Sequence, residues 1–128
     1  MTPFFTREEL QCKCGCKLAN FHPGILDQLS ELRKEFNKPM KLSSACRCLN
    51  HNMSVSRMAP KSSLHIGDYE TRPKHQGCMA FDVLVSGGDK GDLFRLAWKN
   101  GWSIGWNRGF LHLDGRILLG MPQTTFEY

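Results

Sequence analysis

Between residues 25 and 36 the chain alternates on a helical period. Ile25, Leu26, Leu29, Leu32 and Phe36 recur at intervals of three and four, and Asp27, Glu31, Arg33 and Lys34 take the other face. Pro23 stands near the first turn of this helix, and Pro39, which cannot continue it, sets its end near Asn37. Upstream, Thr6 and Glu9 have the spacing of a capping box, so a short helix starts there, and Gln11 to Asn20 reads as a compact loop around Gly15. Met40 to Ser44 alternates as a strand. Residues 49–79 are mostly loop, with a helical turn between Asn50 and Met58.

The second half repeats the two periods. Met79 to Val85 is a strand, Ser86 to Gly91 a turn, Asp92 to Asn100 a helix stopped by Gly101, and Trp102 to Trp106 a strand or strand-like turn. Gly109 to Arg116 closes the series as a short strand presenting His112 and Asp114 on one face. Two helices that do not alternate regularly with the strands predict an α+β domain with a small antiparallel sheet flanked by helices. At 128 residues, positions 1–128 form one domain.

Hydrophobic residues make up 41% of the chain and charged residues 23%, which excludes wholesale disorder and fibrous classes. No apolar run approaches the roughly 18 residues of a membrane span, and residues 1–6 lack the features of a secretory signal, so synthesis in the cytoplasm without a signal peptide is expected. A net charge of +5 favours acidic partners, nucleic acid or an anionic wall polymer, but the basic residues are scattered rather than striped.

The chemistry gathers at a few positions. Asp82 interrupts an apolar strand on the face it shares with Ala80 and Leu84, where an unpaired carboxylate would be costly, so a metal or a donor should meet it. His112 and Asp114 read either as a metal ligand with an orienting carboxylate or as a hydrogen-bonded histidine beside a solvent aspartate. Cys12, Cys14 and Cys16 alternate, as do Cys46 and Cys48, while Cys78 stands alone. These C-x-C spacings differ from the C-x2-C of a zinc knuckle, which favours reduced or partly bridged structural cysteines over a second, structural zinc. Trp98, Trp102 and Trp106 read as core or cleft wall rather than a stacking platform.

Residues Pro39 to Asn52, Ser63-Leu64-His65, Ala80-Phe81-Asp82-Val83 and Gly109 to Asp114 resemble, in that order, the motifs of the zinc D-alanyl-D-alanine carboxypeptidase family, many of whose small members are phage-encoded cell-wall peptidases. The resemblance runs from about Phe4 to Arg116 and implies the hedgehog/DD-peptidase-like fold with zinc on the sheet. It implies His65, Asp82 and His112 as metal ligands and Arg47 facing the substrate carboxylate or developing oxyanion, where an ordinary surface charge is the alternative. It further implies peptidoglycan stem peptides as substrate, action at the bacterial cell wall and a monomer without nucleic-acid partners.

Two departures stand out. The family usually places its first histidine seven residues before the aspartate, whereas His65 precedes Asp82 by 17. His75 keeps the spacing but lacks the preceding serine, and His65 is preferred because Ser63 completes its motif and an enlarged turn costs little. Some members carry a carboxylate three residues before the last histidine, where this chain has Gly109. Asp114 is then the nearest group for proton handling, with an equal claim as partner of His112. Three function classes follow: a zinc peptidase on peptidoglycan, a non-catalytic zinc-containing wall-binding or virion module, and a basic nucleic-acid-binding protein with cysteine-held zinc.

Overall fold

The computed structural model describes residues 4–128. Helix α1 (Arg7–Leu10) opens on the capping box, the Thr6 side chain accepting from the Glu9 backbone N–H and the Glu9 side chain accepting from the Thr6 backbone N–H. Helix α2 (Ile25–Phe36) follows, ended by Asn37 in the left-handed conformation. Strand β1 (Lys41–Ser44), helix α3 (Leu49–Val55), strand β2 (Ala80–Leu84), helix α4 (Gly87–Lys99) and strands β3 (Ser103–Trp106), β4 (Leu111–Asp114) and β5 (Thr125–Glu127) complete the order, with a 3-10 turn at Arg116–Leu119.

The five strands form one sheet in the order β1-β2-β4-β3-β5, antiparallel except where β5 joins β3 in parallel. This is the α+β architecture that the alternation predicts, with an added edge. Strand β5 has no counterpart in the sequence reading, although Thr125-Phe126-Glu127-Tyr128 alternates polar and aromatic positions as a short strand does. One face of the sheet is apolar: Phe81, Val83, Ile104, Leu111 and Leu113 are fully buried and join Leu29, Leu32 and Leu93 of α2 and α4 in a common core. Each such side chain contributes about 2 kcal/mol by leaving water. Phe81 anchors the layer, stacked on Phe21 and edge-on to Trp102.

Helix α4 begins five residues before the expected Asp92, and the glycine-rich turn expected over 86–91 is its first turn and cap. Glycine disfavours a helix intrinsically, so a tertiary tether decides here. The Lys90 side chain is buried, donates to the carbonyls of Asn107 and Arg108 and lies 4.2 Å over the Trp106 ring. The tryptophans divide. Trp102 is core, whereas Trp98 and Trp106 are exposed, so the reading of all three as core or cleft wall holds only for Trp102. No helix among the described residues is long and apolar enough to cross a membrane.

Candidate metal centre and cleft

The polar face of the sheet carries one cross-strand row: Ser44 of β1 pairs with Asp82, Asp82 with His112, His112 with Gly105, and Gly105 with Phe126. Strand pleating sends these side chains to the face opposite the core. Asp82 and His112 are therefore neighbours by register. Gly105 leaves the space that His112 needs: a Cβ there would stand 2.8 Å from Phe126, 2.9 Å from Tyr128 and 3.1 Å from His112.

His65 reaches the row from the loop. Its segment is sewn to both neighbours by backbone bonds, Arg47 N to His65 O at 2.8 Å, Gly67 N to Arg47 O at 2.8 Å and Met79 N to Leu64 O at 2.9 Å. Ser63 Oγ accepts from the His65 backbone, which tightens the turn ahead of it. The serine of the motif thus has a structural reason.

Asp82 Oδ1 lies 3.1 Å from both His65 Nε2 and His112 Nδ1, and one donor atom from each of the three residues falls within 4.8 Å of the others. All three are buried. The outer nitrogens are also committed. His65 Nδ1 is 2.6 Å from the Ala45 carbonyl and His112 Nε2 is 2.8 Å from Asp114 Oδ2, so an N–H at each outer position leaves the inner nitrogens bare. Two imidazoles oriented by hydrogen bonds at their far nitrogens, with one carboxylate, form a three-donor set whose chemistry would suit a zinc ion.

Electrostatics point the same way. Burial would push the Asp82 carboxyl up, yet the two imidazoles hold it well below the ordinary carboxylate range. Burial drives His65 down and keeps it neutral, whereas in His112 the pull of Asp114 and Asp82 outweighs burial and raises it. The buried carboxylate thus collects positive charge: a proton when no metal is bound, or a cation that releases that proton on binding.

Arg47 is buried, which removes the surface-charge alternative. Its Nη2 donates to Asp82 Oδ2 at 3.2 Å, its Nε to Ser44 Oγ at 3.0 Å and its Nη1 to Asn52 Oδ1 at 3.0 Å. Asn52, fully buried on α3, donates in turn to the carbonyls of Ala59 and Pro60. It lies inside the quoted motif but carries no chemical signal in the sequence that would mark it as the clamp on Arg47. Tyr128 is likewise unforeseen. Its ring stacks on His112 with centroids 4.2 Å apart, and burial, aided by Asp82, pushes its phenol up to about 12.

Asp114 is engaged from two sides. It is fully buried and accepts from Arg116 through the backbone N, Nε and Nη2, besides facing His112 on the nitrogen away from Asp82. Burial would raise its carboxyl, but Arg116 and His112 hold it at about 2. A carboxylate so saturated is a poor proton acceptor for catalysis. His75 stands apart from the cluster, bonded through Nδ1 to Thr71.

Over the row opens a cleft of about 520 Å³, walled by Arg47, Asp82, Tyr128, Phe110, Asn107 and the 55–58 segment with Arg57. A second hollow of about 360 Å³ lies on the other side of Tyr128, beside His112 and Arg72.

A family model described as Peptidase M15 matches residues 3–114, a span that contains Arg47, His65, Asp82, His112 and Asp114. The chain belongs to the peptidase M15 family. At family level these are zinc D-Ala-D-Ala carboxypeptidase-like metallopeptidases acting on peptidoglycan. No curated protein and no solved structure matches the chain.

Proposed function

We propose that this M15 member hydrolyses a peptide bond in the stem peptide of bacterial peptidoglycan, with His65, Asp82 and His112 as zinc ligands. The observation that carries the reading is the convergence of two neutral-competent imidazoles and a buried carboxylate beneath an open cleft that also holds Arg47. Zinc bound there supplies Lewis acidity to a carbonyl and lowers the pKa of water towards about 7.

The chain's own groups do the rest. Ala45 and Asp114 fix the orientation of the two imidazoles. Arg47, held by Ser44 and Asn52, keeps a guanidinium at the cleft for a substrate carboxylate or the charge that develops on the carbonyl. Arg57 adds a second cation on the rim, in keeping with an anionic peptide. Tyr128 and Phe126 cover the His112 ring and restrict water around it. The place of action is the cell wall, and the presence of the motifs in phage peptidases makes a lytic or virion-entry role the natural setting.

The deciding experiment is digestion of purified peptidoglycan and of D-Ala-D-Ala-ended peptides, with and without chelator. Hydrolysis that a chelator stops, zinc restores and Asp82→Asn abolishes is the expected result. Zinc bound at this site without turnover would overturn it.

One observation favours a second reading, a wall-binding module that holds zinc without catalysis. Among the described residues Asp82 is the only side-chain carboxylate lining the large cleft, and Asp114 is engaged by Arg116. Gly109, where some relatives carry the carboxylate, is exposed, and a Cβ there would meet only Asn107 Oδ1 at 3.8 Å. Gly109→Glu therefore separates the two readings. If the chain lacks only its base, the variant gains roughly 100-fold in hydrolysis; if it binds wall without catalysis, neither protein turns over.

A further inference from the structure

Away from the cleft, four thiols meet. The chain leaves α1 at Cys12, reverses through Gly15 (φ +100°) and Lys17 (φ 63°), and is closed by a bond from Cys12 N to Leu18 O at 2.7 Å. This loop carries Cys14 and Cys16 on its exposed side. Cys48 approaches from the start of α3, 34 residues further on from Cys14. One Sγ from each of Cys12, Cys14, Cys16 and Cys48 lies within 4.8 Å of the others, with Cys12 to Cys14 at 3.5 Å and Cys14 to Cys48 at 3.7 Å.

These distances are not those of disulfides, in which sulfurs sit about 2.05 Å apart, and all four thiols are free. They are close to those of a tetrathiolate: a tetrahedral zinc with bonds of about 2.3 Å spaces its sulfurs by about 3.8 Å. Backbone N–H groups also point at the sulfurs, Cys48 N to Cys12 at 3.4 Å, Leu18 N to Cys16 at 3.5 Å and His51 N to Cys48 at 3.4 Å. Donors directed at three of four sulfurs favour the thiolate over the thiol. A group of thiolates packed this closely needs a soft cation. Cys46 and Cys78 are outside the group, bonded to the carbonyls of Asn20 and Ala80.

We propose that Cys12, Cys14, Cys16 and Cys48 hold a second, structural zinc. Four protein ligands close its coordination, so it offers no position for substrate. Its role is to staple the 12–18 loop to the start of α3. Cys48 directly follows Arg47, so the staple fixes the backbone that carries the cleft guanidinium. The proposal stands independently of the peptidase reading.

The test is zinc per chain on protein purified under reducing conditions. Wild type is expected to hold two equivalents. Cys14→Ser/Cys48→Ser and His112→Ala each hold one, their combination holds none, and Cys46→Ser keeps both. On unaltered wild type, a mercurial thiol reagent should release one equivalent to a colorimetric chelator, a readout that does not depend on a variant folding. Cobalt substitution should give an intense thiolate-to-metal charge-transfer band that Cys14→Ser/Cys48→Ser removes. Full zinc retention in the double cysteine variant, no release by the mercurial, iron in place of zinc at the thiols, or a Cys14–Cys48 disulfide by mass in freshly isolated protein would each overturn it. Loss at His112 alone reports on the cleft and leaves this site untouched.

Discussion

Asp82 and His112 are register partners on adjacent antiparallel strands, and Asp82 Oδ1 stands 3.1 Å from His112 Nδ1. Sheet hydrogen bonding therefore sets the spacing of two of the three candidate ligands. The third, His65, depends on a loop whose ends are tied to Arg47 and Met79.

That division makes the two histidines of the loop separable. His65→Ala is expected to lose the cleft equivalent of zinc, whereas His75→Ala keeps it, since His75 bonds only within its own turn. Elemental analysis of the two variants decides it, and zinc lost with His75 but kept without His65 would refute the ligand set.

Arg47→Lys is expected to lower kcat/KM for wall peptides by roughly 100-fold and stability by about 1–3 kcal/mol. The guanidinium serves Ser44, Asn52 and Asp82 from three separate nitrogens, and a single ammonium cannot reproduce that fork. Steady-state kinetics with urea melts of the same preparations check both numbers.

Gly105→Ala should cost about 1–3 kcal/mol by overpacking and weaken zinc binding. The new methyl group meets Phe126, Tyr128 and His112 on the polar face of the sheet. Thermal denaturation with and without chelator measures the two effects, and an unchanged metal affinity would show that the close packing does not orient His112.

Acid should unfold the metal-free protein through its buried carboxylates. Asp114 falls from an ordinary value of 3.8 to about 2 on folding, so its contribution is fully present above the higher value and is lost as pH drops through the lower. The size is about 2 kcal/mol. His112 acts in the opposite sense: it is raised in the fold, so its contribution is present below the ordinary value and fades as pH rises. Urea denaturation of apo wild type and Asp114→Asn at a series of pH values should show a smaller acid-sensitive component in the variant, the remainder coming from Asp82.

Much of this arrangement is legible in the sequence where local pattern and chemistry coincide. Asp82 declares itself because a carboxylate in an apolar strand needs a partner, and α2 because its period is unbroken. The first turn of α4 is concealed by its glycines, since the tether through Lys90 to the 107–108 carbonyls is tertiary. Phe126 and Tyr128 are concealed for a similar reason. The alternation over 125–128 marks a strand, but they reach His112 only because residues 125–127 pair in parallel with β3, a long-range contact that local pattern does not specify. Asn52 is legible as part of a motif, but its hold on Arg47 needs coordinates.

The backbone stitches on either side of His65 have one more implication. Arg47, Leu64 and Met79 set where that imidazole sits, so the number of residues between His65 and Asp82 is uncoupled from the distance between them in space. The intervening 69–76 stretch is in effect an appendix to a finished scaffold, one flank of which, at Arg72, borders the second hollow. Residues can be added, removed or exchanged there without re-aiming the donor atoms, which makes this loop the place where a changed preference for wall chemistry can be written into the chain at least cost to its centre.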